Sequence, residues 1–188
     1  DLIPRVQERA HLAGGNVLTW DRSELDITNR ESVLVQMERA APLVVINCAA
    51  YTDVDACERN TAKAMEINGK APGYLAEACK AADALLVHYS TDFVFDGALQ
   101  QPYRIDDRTN PLSAYGSSKL EGERAIISGG CRLLIIRTSW LYGPHGRNFV
   151  EAILVKAQKG EQLKVVNDQV GRPTYTVDLS EATLRLLD

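Results

Sequence analysis

The chain has 188 residues, 45% of them apolar and 24% charged, which is enough to bury the core of one domain and part of a second. A formal net charge of −4 with no run of Lys or Arg argues against a nucleic-acid surface, and no stretch approaches the roughly 20 apolar residues of a membrane span. Cys48, Cys57, Cys79 and Cys131 lie far apart with no Cys-x-x-Cys pair, so neither a zinc site nor a disulfide framework is expected and a cytosolic protein with reduced thiols is.

Taken in chain order, residues 1–13 have helical composition and Asn16 to Trp20 is the first run of strand length. A helical segment over Glu31 to Ala40 leads to the apolar run Leu43 to Asn47. A long helical segment comes next over Thr61 to Ala82, which Gly69 and Pro72 are expected to interrupt or bend. Ala84 to Tyr89 reads as a strand, Ala114 to Ile127 as a helix and Cys131 to Arg137 as another strand. Past Pro144 the alternation loosens into short runs, Leu163 to Val166 and Pro173 to Val177, and the last residues, Leu187 and Asp188, fall inside what reads as a helix. Strands alternating with helices predict an α/β fold, a doubly wound parallel sheet with right-handed crossovers. Continuous apolar strands such as Leu43-Val44-Val45-Ile46 suit a sheet covered on both faces. In such a fold, ligands bind beyond the carboxyl ends of the strands.

The residues at those ends are chemically distinctive. After the first run come Trp20-Asp21-Arg22-Ser23 and Glu24-Leu25-Asp26-Ile27, where a carboxylate can accept from a ribose hydroxyl and Arg22 can pair with a 2′-phosphate. Ala49, Ala50 and Tyr51, with Thr52 and Val54 beyond them, come after the second run; small side chains there let a flat ligand approach the backbone. Ser90 and Thr91 place two hydroxyls after the third run, able either to donate to a substrate carbonyl or to cap the turn. Tyr115 and Lys119 stand four apart, on one face of the predicted helix. A cation under a phenol stabilises the phenolate and lowers its pKa from about 10. With seven tyrosines and seven lysines in the chain, chance alone supplies roughly a quarter of a match to this spacing. It is the joint occurrence at successive strand ends that points to a ligand crevice.

These strings, with Pro111-Leu112-Ser113-Ala114-Tyr115-Gly116-Ser117-Ser118-Lys119, Arg137-Thr138-Ser139-Trp140 and Asn167-Asp168-Gln169, make the chain resemble the extended short-chain dehydrogenase/reductases, and within them the dTDP-4-dehydrorhamnose reductase group. The resemblance implies a Rossmann-like NAD(P)-binding domain over 1–143 and a partial substrate-binding region over 144–188. It implies NADPH- or NADH-dependent reduction of the C4 keto group of dTDP-4-dehydro-L-rhamnose to dTDP-L-rhamnose, for polysaccharide biosynthesis in the cytoplasm. Tyr115 would protonate the emerging alkoxide, Lys119 would lower its pKa and hold the nicotinamide ribose, and Thr91 would donate to the substrate oxygen. Arg22, Asp26, Ile27, Ala49, Ala50, Tyr51, Asn68 and Ser90 would line the cofactor, and Thr52, Val54, Trp140 and Asn148 the sugar nucleotide. A homodimer is implied, with Mg²⁺ at its interface in some relatives; no residue is assigned as a metal ligand.

Two departures accompany the resemblance. Relatives open on a strand and a Gly-rich turn that holds the pyrophosphate, whereas here residues 1–13 read as the helix after that turn, so the chain is expected to be a fragment lacking that turn and the C-terminal end. Phe93 stands where relatives often carry an aromatic hydroxyl. Two other readings stay open: a non-catalytic regulatory subunit like the β subunit of methionine adenosyltransferase, and a sugar-nucleotide epimerase or dehydratase. Glu121 and Glu123 read as surface charges or local ion pairs.

Overall fold

In chain order the elements of the computed structural model are α1 (Leu2–Leu12), α2 (Arg30–Ala40), β1 (Val44–Asn47), α3 (Val54–Arg59), α4 (Thr61–Ala64), a π turn (Met65–Lys70) and α5 (Ala71–Ala81). Next come β2 (Leu85–Thr91), a 3₁₀ turn (Asp92–Val94), α6 (Ala114–Gly129), β3 (Arg132–Thr138), β4 (Leu141–Tyr142), α7 (Phe149–Gln158), β5 (Thr174–Tyr175) and α8 (Thr176–Arg185). The structure describes residues 1–146 and 148–187. It divides into one unit of Trp20–Arg137 and another of Asp1–Thr19 with Thr138–Asp188.

The first unit holds the sheet, with strand order β1-β2-β3. β1 and β2 run parallel in a register that sets Val45 beside Leu86 and Asn47 beside His88. α2 starts where the Asn29 side chain accepts the Ser32 N–H at 3.0 Å, satisfying one of the free amides of the first turn, and it ends at Ala41 in the left-handed region (φ 42°). Its Val33 and Met37 meet Leu75, Ala76 and Cys79 of α5, Leu86 of β2 and Ile126 of α6 in one buried cluster. Full burial of each aliphatic side chain there contributes about 1.5–3 kcal/mol. α5 and α6 approach closely because small residues face each other. A Cβ on Gly73 would lie 3.2 Å from Ala125 Cβ, and one on Gly129 would lie 2.7 Å from Ala76 Cβ.

In the second unit Arg5 of α1 pairs with Glu181 of α8 at 3.1 Å, and Thr176 donates to the Asp1 carboxylate. β4 and β5 pair in parallel, Leu141 beside Thr174.

Several expected elements take another form. Asn16 to Trp20 forms no strand; it is apolar but pairs with no other described strand, and without a ladder an apolar run is only a run. The predicted helix over 61–82 is divided by the π turn, with Gly69 inside it and Pro72 at the start of α5. Leu163 to Val166 forms no strand and is exposed, while Pro173 to Val177 keeps a two-residue strand before α8 begins at Thr176. α8 stops at Arg185; Asp188 lies outside the described residues. Within the first unit the sheet is not covered along its whole length: β2 is largely buried, whereas Leu43 and Val44 at the start of β1 are exposed.

Candidate active site

β2 delivers His88, Tyr89, Ser90 and Thr91 to its carboxyl end. Thr91 closes the strand by accepting the Phe93 N–H on Oγ1 at 3.2 Å, and its hydroxyl lies 3.2 Å from an Asp92 carboxylate oxygen. α6 starts at Ser113, whose hydroxyl accepts the Gly116 N–H at 3.1 Å, while the Ala114 N–H donates to Glu58 at 2.7 Å. Gly116 is the point of closest approach: a Cβ there would sit 2.2 Å from Phe93 O, so only glycine lets the first turn of α6 lie against the 3₁₀ turn. The result is a half-buried Tyr115 within hydrogen-bonding influence of Thr91. Phe93 packs edge-on against its ring, centroids 5.6 Å apart.

The phenol's pKa is raised, not lowered as the Tyr115–Lys119 spacing predicts. Burial is the main cause, Thr91 opposes it, and nearby Asp92 and Cys57 add to it. Lys119 is not among the groups that shift the phenol. Nζ donates to the Tyr89 carbonyl at 2.6 Å and stands 3.3 Å from His88 Nε2. Lys119 is 2% exposed; burial lowers its pKa to about 8, with Glu123 pulling the other way. A phenol that keeps its proton at neutral pH is what an acid needs in the direction of reduction.

Glu123, read from the sequence as a surface charge or a local ion pair, is buried and pairs across the fold. It accepts Ser90 Oγ at 2.5 Å and Arg137 Nε and NH2 at 2.9 and 2.7 Å. A bidentate guanidinium compensates for the desolvated carboxylate. Glu121 does remain a surface charge, 3.6 Å from Arg124.

The other predicted residues fall into three situations. Ser90 directs its hydroxyl to Glu123 rather than outward. Asn68 is fully engaged within the protein: its carboxamide exchanges two hydrogen bonds with the Tyr51 backbone, at 2.8 and 2.9 Å, and donates to Ser118 Oγ at 3.0 Å. Asp26 accepts the Thr28 N–H and hydroxyl at 3.0 and 2.7 Å, which with exposed Arg22 nearby holds its pKa below the usual carboxylate range. Ile27 packs on the core. Ala49 and Thr52 are exposed, and Ala50, Tyr51 and Val54 are half-buried; Ala49 is pinned by its N–H to Asn47 Oδ1 at 3.0 Å, and Lys63 stands over the Tyr51 ring. Trp140 and Asn148 belong to the other unit. There the Trp140 indole covers Gly171, and Asn148 caps α7 through Glu151 N–H and donates to the Gly143 carbonyl.

A model of the RmlD substrate binding domain matches residues 4–188. The chain belongs to the RmlD substrate binding domain family. This RmlD-family chain is 43% identical over 173 residues to the dTDP-4-dehydrorhamnose reductase of Burkholderia thailandensis, a match covering 92% of the chain and 58% of that relative. The crystal structure of a dTDP-4-dehydrorhamnose reductase from Clostridium acetobutylicum superposes with a TM-score of 0.93 at 42% identity, over 100% of the chain and 66% of the neighbour. That of the Bacillus anthracis dTDP-4-dehydrorhamnose reductase in complex with NADP gives 0.92 at 36% identity, over 98% and 66%. The chain thus spans less than two thirds of the length of these proteins, and it shares their Rossmann-like α/β fold.

Sequence reasoning missed the RmlD-family chain's buried polar residues under the site, Asn47, His88 and Glu123, and the half-buried Arg137 that pairs with Glu123. Glu123 carried a signal, since positions 115, 119 and 123 share one helix face. Asn47 and His88 carried none, because they meet only through the register of β1 with β2.

Proposed function

We propose that this chain forms the catalytic part of an NAD(P)H-dependent reductase that converts the C4 keto group of dTDP-4-dehydro-L-rhamnose to the alcohol of dTDP-L-rhamnose. The observation that carries this reading is the half-buried Tyr115 phenol, kept protonated beside Thr91 at the carboxyl end of β2. The names of the relatives at about 40% identity supply the substrate. A reduced nicotinamide dinucleotide, when bound, supplies the hydride. Thr91 would hold the ketone oxygen and Tyr115 would pass its proton to the developing alkoxide, while the fixed donors reduce the charge left there. The residues present suit such a cofactor. The Cys48 to Ala49 backbone is open at the end of β1 and buried Lys119 carries N–H groups at the site. Asp26, with Arg22 beside it, would take the adenosine side, and Ala50 and Tyr51 the middle. Thr52 and Val54 would face the sugar nucleotide.

The reading extends to a homodimer in the cytoplasm, tested by light scattering and by fractionation. Among the described residues no helix is long and apolar enough to cross a membrane, and no group of three or more His, Cys, Asp or Glu could hold a metal ion; no step is routed through Mg²⁺.

The test is oxidation of NADPH and NADH by the full-length protein with dTDP-4-dehydro-L-rhamnose. Tyr115→Phe is expected to lower kcat by roughly 10²–10⁴ while binding of dTDP persists in calorimetry. Turnover equal to the unaltered protein overturns the assignment.

A further inference from the structure

Residues 95–110 form a loop that leaves from the 3₁₀ turn after Thr91 and returns to the start of α6, just before Tyr115. Its base is closed by the Asn110 N–H, which donates to the Val94 carbonyl at 2.9 Å. Within the loop the Phe95 and Tyr103 rings stack, centroids 4.2 Å apart and 13° from parallel. Asp96 accepts the Tyr103 hydroxyl at 2.5 Å and Asn110 Nδ2 at 3.0 Å. The loop is thus packed by its own side chains. Arg137, near the carboxyl end of β3, ties it to the body of the unit: its guanidinium lies 5.0 Å from the centroid of the Phe95 ring, and Nη1 donates to the Ile105 carbonyl at 3.3 Å.

The same guanidinium is gripped from its other edge. Nε and Nη2 donate to the two oxygens of Glu123 at 2.9 and 2.7 Å, and Glu123 Oε1 also accepts Ser90 Oγ at 2.5 Å. A planar fork can bond through all three nitrogens and still offer its face to a ring, which an ammonium cannot do. Ser90, Glu123, Arg137 and Phe95 therefore make one chain of contacts from β2 through α6 and β3 to the loop. The strand order β1-β2-β3 sets that chain on the far side of β2 from β1, away from Ala49 and Ala50 after β1.

We propose that Arg137, held by Glu123, is a positioning residue for the sugar nucleotide: it fixes the loop of residues 95–110 as a wall on the substrate side of Thr91 and Tyr115. The proposal rests on the reductase reading for the identity of the ligand. A buried ion pair adds little net stability over an apolar pair of the same size, so what Glu123 contributes is the direction of the guanidinium. Arg137 acts through the loop, and its loss weakens substrate binding while leaving the chemical step and the cofactor alone.

The test uses the full-length protein with NADPH and dTDP-4-dehydro-L-rhamnose. Arg137→Lys keeps a charge for Glu123 but loses the fork, and its KM for the keto sugar should rise about tenfold, the fold-change expected from losing one neutral hydrogen bond and one exposed cation–π contact. Its kcat and its KM for NADPH should not change. Phe95→Leu leaves the Glu123–Arg137 pair intact and removes the ring beside the guanidinium; it should move the same KM in the same direction. The double variant should show less than the product of the two single effects, since both break one contact. Amide hydrogen exchange over residues 95–110 should quicken in each variant. An unmoved KM for the keto sugar, a fall in kcat without it, single effects that multiply, or a raised KM with loop exchange unchanged overturns the proposal. If Arg137→Lys fails to fold, Phe95→Leu carries the same readouts. If the unaltered protein does not reduce the keto sugar, the reductase reading falls, and the calorimetric Kd of dTDP-L-rhamnose takes the place of KM in the same comparison.

Discussion

Thr91 carries two tasks on one hydroxyl. It ends β2 by accepting the Phe93 N–H, and it favours ionisation of Tyr115. Thr91→Val removes that help, so the phenol's pKa should climb further. In the proposed reaction the substrate oxygen would also lose a donor, which lowers kcat by roughly 10²–10³ where such donors have been removed. Spectroscopic titration of tyrosinate and the steady-state rate check the two effects separately. A fall in rate with an unmoved phenol would mean that Thr91 acts on the substrate alone. Tyr115 and Thr91 were legible in the sequence because a helix face and a strand end are local properties. The direction of the phenol's shift was not, since it is set mainly by how deeply the fold buries the ring, which a helix face does not reveal.

At the scale of elements, two further contacts help hold α6 in place. Its far side is tied to β3 by the Glu123–Arg137 pair, and its middle rests on the π turn, where a Cβ at Gly122 would come 2.1 Å from Asn68 O. Removing the carboxylate with Glu123→Ala leaves Arg137 partly buried without its partner, a loss of about 3 kcal/mol. Gly122→Ala forces backbone apart from backbone at a cost of about 1–3 kcal/mol. Urea unfolding of each variant should show these losses; a midpoint within error of the unaltered protein would mean the helix can shift freely. β1, β2 and β3 were readable from their apolar runs because they do pair. Asn16 to Trp20 has the same composition without a described partner, and pairing is the part of strand formation that composition does not encode. The interruption of the helix over 61–82 was legible in Gly69 and Pro72, but its π form was not, since Met65 to Lys70 has ordinary helix-forming residues apart from Asn68 and Gly69.

For the molecule as a whole, the buried bases set how stability varies with pH. His88 falls from 6.5 to about 3 and Lys119 from 10.5 to about 8 on folding. Both are depressed, so the unfolded chain binds more protons between each pair of values and stability rises with pH across both windows. As pH falls, the His88 contribution is fully present above pH 6.5 and is lost progressively toward about pH 3. Denaturant unfolding measured across that window should therefore show a falling midpoint. His88→Gln, which cannot take up a proton, should remove up to about 1.4 kcal/mol per pH unit of that slope. An unchanged slope in the variant would assign the acid sensitivity to other groups.

The π turn also makes this region sensitive to chain length in a way that its side chains do not reveal. A helix works as a dial with 3.6 positions to the revolution, and the wider turn over Met65–Lys70 accommodates one residue more than that dial allows. The helical segments on its two sides, α4 and α5, are thus set out of phase by one step. It is this offset that lets Asn68 reach the Tyr51 backbone and Ser118 at once. Losing one of the turn's other residues would rewind the dial and turn Asn68 away from its partners. The segment after β1 that carries Tyr51 and the helix that carries Tyr115 therefore share a single point of timing.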